Sequence, residues 1–273
     1  MNIVEATARL EVDVVAGCSA ATTACASSPM KLLVPRPRGD SVWAYLGSLG
    51  GGFVAGDQTK MRVRLGAGAR CFLTTQASTK VYRNPNGRPC GHGLRADLAA
   101  SSLLVVMPEP IQSFAGSIYS QRQEFHLEPG AGLVLLDWFS CGRTARKERW
   151  KFVRLHSRNE VFVGPERMLL DSLLLDQSDG ALDGPHRMGR FNCLAVIVIT
   201  GAVVAAAASR CLAALEAQPV LQRARLLVSA SPIRDGAILR LAGECVEDVA
   251  GEIRRLLGFI PQLLGDDPWS RKW

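Results

Sequence analysis

The sequence predicts an all-β protein with a small helical complement near its end. Three observations carry this. About a dozen short apolar or alternating runs are separated by Gly- and Pro-rich turns. Only two stretches, 203–217 and 244–257, have helical periodicity. Aromatic residues make up just 6% of the chain against 26 glycines, which suits strands and turns packed through aliphatic side chains. Strand count alone does not separate a sandwich, a barrel and a solenoid, and no fixed repeat length is visible.

The first strand is read over residues 3–15, where Ala8, Leu10, Val12 and Val14 alternate with Arg9, Glu11 and Asp13. Residues 17–28 are small and polar, with Thr22 and Thr23 offering β-propensity. Residues 42–46 form a short strand that enters a glycine cluster, Gly50, Gly51 and Gly52. Gly56-Asp57 marks a turn. Then Met61, Val63 and Leu65 alternate with Arg62 and Arg64, and a further strand covers 70–75. Gly50, Gly52 and Ala55 fit the spacing of a dinucleotide fingerprint, but a strand follows where that motif requires a helix. A tight corner between strands fits better.

Residues 84–93 read as a turn-rich loop. Cys90 and His92 form its closely spaced Cys/His pair, a thiolate and an imidazole able to contact Ni, Cu or Zn. Two ligands make no closed site, and a plain loop is the competing interpretation. Strands follow at 94–98 and 103–107. Pro108 and Pro110 bracket Glu109 and hold it extended. Residues 117–127 alternate, 133–139 form a buried strand, and 152–163 give two more short strands. The stretch 169–190 is dotted with Asp171, Asp176, Asp179 and Asp183 and is expected to be a solvated connection without a calcium loop.

A buried strand at 193–200 leads into an alanine-rich helix over 203–217, stopped before Pro219. Strands at 223–230 and 237–242 flank a turn. The helix 244–257 places Val246, Val249, Ile253 and Leu256 on one face, and Gly258 ends it. The tail carries Trp269 and Trp273, which either dock on the domain or anchor a partner.

The bulk numbers exclude some classes. The formal charge is +7, which favours acidic partners, but the bases are scattered without interleaved aromatics, so nucleic acid is not expected. Eight cysteines contain no C-x-x-C pair, so neither a zinc knuckle nor a thioredoxin motif is indicated. No signal peptide is visible, and free thiols in a reducing, cytoplasmic setting are expected. The longest apolar run, 193–208, falls short of the ~20 residues that cross a bilayer, so no membrane association is expected. No nucleophile elbow or zinc-protease pattern is present.

Several segments together resemble the UreD (UreH) family of urease accessory proteins. They are the glycine-rich turn ending in Gly56-Asp57, and Thr74-Thr75-Gln76 followed by Lys80-Val81-Tyr82. They include also the Pro29 to Pro35 segment, the Pro108-Glu109-Pro110 segment before Phe114, and Gly142-Arg143 before Glu148. Lys147 stands where that family commonly has glycine. The wording Leu133-Val134-Leu135-Leu136-Asp137-Trp138 is similar to plant and fungal members.

The resemblance implies one domain over 1–273, a β-helical, solenoid-like stack of short strands with two α-helices near the C-terminus, and no catalytic residues. It implies a urease maturation chaperone that binds apo-urease and UreF, recruits the GTPase UreG, and passes nickel in transit with no tightly bound cofactor. It carries over Asp57, Thr75, Gln76, Lys80, Tyr82, Glu109 and Arg143 as conduit or partner positions. Asp57 and Glu109 either face the metal path, or cap a turn and pair with a surface base respectively. Two other classes stay open: a carbohydrate-active enzyme on a β-helical scaffold using the acids at 171–183, and a basic protein-interaction module.

Overall fold

The computed structural model describes residues 7–36, 39–219, 221 and 223–271. Residues 3–6 of the expected first strand and Trp273 of the tail lie outside the described residues. Two large sheets face each other. One has seven strands in the spatial order Glu166–Asp176, Arg154–Val163, Ile118–Leu127, Cys90–Leu98, Gln58–Leu65, Ala8–Val15 and Cys18–Ala26. The larger sheet runs Leu226–Ile233, Gly236–Gly243, Cys193–Thr200, Gly132–Ser140, Leu103–Val106, Arg70–Thr75, Val42–Ser48 and Met30–Leu33. Three short strands, Gly52–Phe53, Thr79–Val81 and Ile111–Ser113, pair in parallel along one side.

The chain alternates between these faces. Val42–Ser48, Gly52–Phe53 and Gln58–Leu65 make one turn of a coil, and Arg70–Thr75, Thr79–Val81 and Cys90–Leu98 make the next. Equivalent strands of successive turns pair in parallel. This is the β-helical stack that the resemblance implies. Its turns begin at residues 42, 70, 103 and 132, so they are 28, 33 and 29 residues long. That unevenness lies in the connections, and it hides the repeat from a search for a fixed period.

Period-two patterning sets which residues point inward. Met61, Val63 and Leu65 are buried between the sheets, while Lys60, Arg62 and Arg64 face solvent. Leu103–Val106 and Gly132–Ser140 are buried on both faces, since one face meets the opposite sheet and the other meets the helices. Helices Ala205–Glu216 and Val246–Leu256 cover that outer face, with Trp43 and Phe72 in contact beneath at 4.7 Å between ring centroids. In Val246–Leu256 the buried face is Val249, Ile253 and Leu256. Glu247 and Asp248 in its first turn and Arg254 and Arg255 in its last oppose the helix dipole favourably.

The structure departs from the sequence reading in four places. The loop expected up to Gly93 ends earlier, because Cys90 already pairs with Tyr119 in the strand Cys90–Leu98. Residues 154–163 form one ten-residue strand instead of two. The expected solvated connection after 169 is largely the strand Glu166–Asp176, paired antiparallel with Arg154–Val163 and turning Leu175 into the core. A backbone running beside a sheet edge satisfies its polar groups by joining it, whatever its side-chain charge. A third short helix, Ile260–Leu264, follows the second. Of the two alternatives for the tail, Trp269 takes the docked one: it packs against the helix-covered core, with the Arg254 guanidinium 6.0 Å from its ring.

Candidate functional site

A polar belt interrupts the apolar interior. In the strand Gly132–Ser140 the inward positions are Leu133, Leu135, Asp137 and Phe139. Asp137 is only 3% exposed and stands where an aliphatic residue would complete the core. Facing it, the seven-stranded sheet turns polar over two rows. Thr59, His92, Gln121 and Ser157 are direct cross-strand neighbours in the first row. Met61, Leu94, Gln123 and Asn159 make the second.

These rows hold the buried carboxylate. Asp137 accepts from Gln121 Nε2 at 2.7 Å, Ser157 Oγ at 2.5 Å and Asn159 Nδ2 at 2.9 Å. Gln121 Nε2 also reaches Ser157 Oγ at 2.9 Å, Gln123 donates to Asn159 Oδ1 at 2.9 Å, and Tyr119 donates to Gln121 Oε1 at 3.3 Å. Thr59 Oγ1 lies 2.8 Å from His92 Nδ1. Burial raises the Asp137 pKa, opposed by its three donors, and the neighbouring Asp171 raises it further. Asp171 sits across the Asn159 pair on the edge strand and meets Arg240 at 2.8 Å. Burial also lowers the His92 pKa to about 4, so its imidazole is neutral at physiological pH.

The belt borders a cavity of roughly 200 Å³. Asp137, Gln121, Gln123, His92 and Tyr119 line its deep end, with Leu73, Leu94 and Val106 between them. Its mouth lies at the glycine corner and the polar segment beyond it, where Gly51, Gln76 and Ala77 are exposed. The arrangement offers one carboxylate, amide and hydroxyl oxygens and a neutral imidazole to a small polar guest. Among the described residues no three His, Cys, Asp or Glu side chains converge as a metal cage.

The residues singled out from sequence divide into two groups. Thr75, Gln76 and His92 line the cavity. Tyr82, Arg143 and Glu148 gather around Phe114 instead. The Tyr82 ring meets Phe114 edge-on at 5.4 Å, Arg143 lies 4.0 Å above the same ring, and Arg143 grips Glu148 through bonds of 2.8 and 2.5 Å. Lys147 takes the left-handed conformation (φ 59°, ψ 30°) that glycine would adopt freely, so the turn and the ion pair survive the departure from the family pattern.

The other expected positions lie apart from the cavity lining. Asp57 Oδ2 accepts from Val54 N–H at 2.9 Å and closes its own turn. Glu109 N–H donates to Thr75 Oγ1 at 2.9 Å, next to the lining residue Pro108. Lys80 is exposed, with its backbone paired to Gly52 and Gln112. Cys90 is buried one row from His92, and burial pushes its thiol up to about 11. The acids at 171–183 do not form a paired-carboxylate site. Asp171 meets Arg240, Asp176 caps Ser178, and Lys151 lies 3.6 Å from Asp183.

The sequence reading passed over Asp137, Gln121, Gln123, Ser157 and Asn159. Asp137 had one signal, a lone carboxylate inside the apolar run 133–139. The others are unremarkable polar residues until the coil stacks them.

A family model described as UreD urease accessory protein matches residues 4–273. The urease accessory protein UreD of Sorangium cellulosum is 47% identical over 260 residues, 95% of this chain and 81% of its own. Urease accessory protein D of Arabidopsis thaliana is 29% identical over 294 residues, covering 97% and 100%. Urease accessory protein 4 of Cryptococcus neoformans is 29% identical over 292 residues, covering 92% and 89%. The motif residues, the β-helical coil and a match of this extent agree: the chain belongs to the UreD family of urease accessory proteins, a family of accessory proteins rather than enzymes.

Proposed function

We propose that the protein is a non-catalytic urease maturation chaperone whose interior carries nickel in transit toward apo-urease. The observation that supports this is the buried Asp137 carboxylate at the deep end of an open cavity, faced by a polar row in an otherwise apolar core. A conduit must attract a hydrated cation without trapping it. One carboxylate with amide and hydroxyl neighbours does so, whereas a thiolate and imidazole cage would hold the ion. Neutral His92 adds a weak nitrogen contact beside Gln121 at the deep end, and Asp171 supplies a second carboxylate beyond Asn159.

In this proposal Gln76 and Thr75 form the entrance, and Glu109 stands beside it as an outer waypoint. Asp57 closes its own turn outside the cavity lining, and Cys90 stays behind the wall as a protonated thiol. Tyr82, Lys80 and Arg143 belong to a face that meets partners: apo-urease, a UreF-type protein and, through the complex, a UreG-type GTPase. The cytoplasm is the proposed compartment. Among the described residues no helix is long and apolar enough to cross a membrane.

The test is urease activity in cells that express apo-urease and the other accessory proteins and are supplied with nickel, with and without this chain. Activity should depend on the chain and fall with Asp137→Asn, while that variant still co-purifies with apo-urease. Full activity without the chain overturns the maturation role. Full activity with Asp137→Asn overturns the conduit and leaves only a scaffold.

A further inference from the structure

The outer face of the seven-stranded sheet carries a basic patch that the fold neutralises only in part. Arg9, Arg62 and Arg95 are direct neighbours on three adjacent strands. Like charges placed opposite one another across strands destabilise a sheet. Arg95 is relieved by Glu124 at 3.0 Å and Asp97 at 3.2 Å. Among the described residues no carboxylate forms an ion pair with the side chains of Arg9, Arg62 or Lys60, all of them exposed.

Beside these bases lies a gap. Lys60, Gly93 and Arg122 are successive neighbours in one row, with the Cα atoms of Lys60 and Arg122 about 10 Å apart at ordinary strand spacing. Arg122 meets Glu160 at 3.0 Å and Glu124 at 3.4 Å, which leaves Lys60 as the cation beside Gly93 without a carboxylate among the described residues. Nothing in the fold requires glycine there. Its φ is not in the left-handed region, and a Cβ would meet Lys60 Cγ at 3.7 Å, Thr59 O at 3.9 Å and Arg122 O at 4.0 Å, all ordinary contacts. Gly91 differs, since a Cβ there would lie 2.9 Å from both Gln58 Oε1 and Ser120 O. With neither a bulge nor a bend in this register, the glycine leaves the backbone open to close approach by another molecule beside the Lys60 stem.

We propose that this face docks an acidic segment of a partner protein, with a carboxylate seated over Gly93 beside Lys60 and a second one near Arg62 and Arg9. Charge complementarity identifies the occupant. Glu11, Asp97 and Glu124 stand on the same face around the bases. They repel a continuous phosphodiester chain and accept a peptide whose charges are discrete. The proposal rests on the exposed sheet and not on the cavity, so it stands or falls apart from the conduit.

The probe is a fluorescein-labelled hexaglutamate peptide, followed by anisotropy against the full chain at low ionic strength. Saturable binding is expected. Lys60→Glu with Arg62→Glu should weaken it by roughly tenfold. Gly93→Val should weaken it about threefold while the melting temperature holds or rises, because a β-branched residue fits an exposed strand position. Lys60→Gln with Arg62→Gln repeats the test should the charge reversals unfold the chain. Reversing Arg210 and Arg223, exposed elsewhere, makes the same change in net charge and should have little effect. No binding, equal weakening by the control pair, or Gly93→Val binding as wild type overturns the proposal. So does tighter binding of an oligonucleotide of equal charge, which would assign the face to nucleic acid.

Discussion

Asn159 Nδ2 donates to Asp137 Oδ2 at 2.9 Å, and that bond crosses from one sheet of the coil to the other. It joins a residue of the larger sheet to one of the seven-stranded sheet in the middle of an apolar core. A buried carboxylate costs stability unless its lone pairs are occupied. Three donors from two strands occupy them here, so the molecule keeps a charge inside at a tolerable cost and places it at the end of an open cavity.

Asp137→Asn separates stability from function. Burial holds the folded-state pKa of Asp137 above its unfolded value. Its favourable contribution is therefore complete below the unfolded pKa and is lost as pH rises through the folded one. Asparagine does not ionise, so the variant should gain stability relative to wild type as pH rises towards 7, less the cost of turning its NH2 towards one of the three donors. The gain should vanish below about pH 4. Urea unfolding at the two pH values measures it, and a relative stability that falls towards pH 7 would show that the carboxylate is needed by the fold.

His92 has the opposite sign. Its folded pKa of about 4 lies below the ordinary imidazole value. The unfolded chain therefore binds the proton first, and stability is lost as pH falls from about 6.5 towards 4. The loss should reach about 3 kcal/mol by pH 4, and His92→Gln should remove it from the pH profile. An NMR titration of the imidazole should find it neutral throughout pH 5.5–8 (roughly, given the pKa of about 4).

Lys147 holds a left-handed backbone at the end of the 3₁₀ turn Thr144–Arg146. Lys147→Gly relieves that strain, less the entropy that glycine gains in the unfolded chain. A net gain of about 0.5–1 kcal/mol is expected in chemical denaturation, with urease activation unchanged. A loss of stability would mean that the lysine side chain makes a contribution larger than the strain.

The glycine corner makes a paired prediction. A Cβ on Gly52 would lie 2.4 Å from Lys80 O, against backbone that cannot give way, whereas Gly50 (φ +88°) has nothing within 4 Å. Gly52→Ala should cost about 2–3 kcal/mol and part the short strand pair beside the cavity. Gly50→Ala should cost only the conformational strain, about 1 kcal/mol. Equal losses in urea unfolding would show that crowding at Gly52 is relieved by movement of the corner.

Much of the architecture was legible in the chain. The alternation of Met61, Val63 and Leu65 with Arg62 and Arg64 is reproduced in burial residue by residue. The strand after the glycine corner removes the nucleotide-binding interpretation, as that spacing without a helix suggested. The helix over 246–256 lies where its periodicity placed it. Glu166–Asp176 was not legible, because its paired leucines and aspartates lack clean alternation and its strand state comes from a free neighbouring edge. Nor was the depth of His92, assigned from glycine and proline content to a loop.

By itself the sequence determined the fold class, the inward and outward faces of its regular strands, the late helices and the family likeness, because each is written in local periodicity or in short motifs. Only the tertiary structure decided the site. Thr59, His92, Gln121 and Ser157 come from four strands spread over 99 residue positions, and they become neighbours only when the coil stacks those strands in register. A side chain's pKa and partners depend on what surrounds it in space, so the meaning of Asp137 appears only once the opposite sheet is in place.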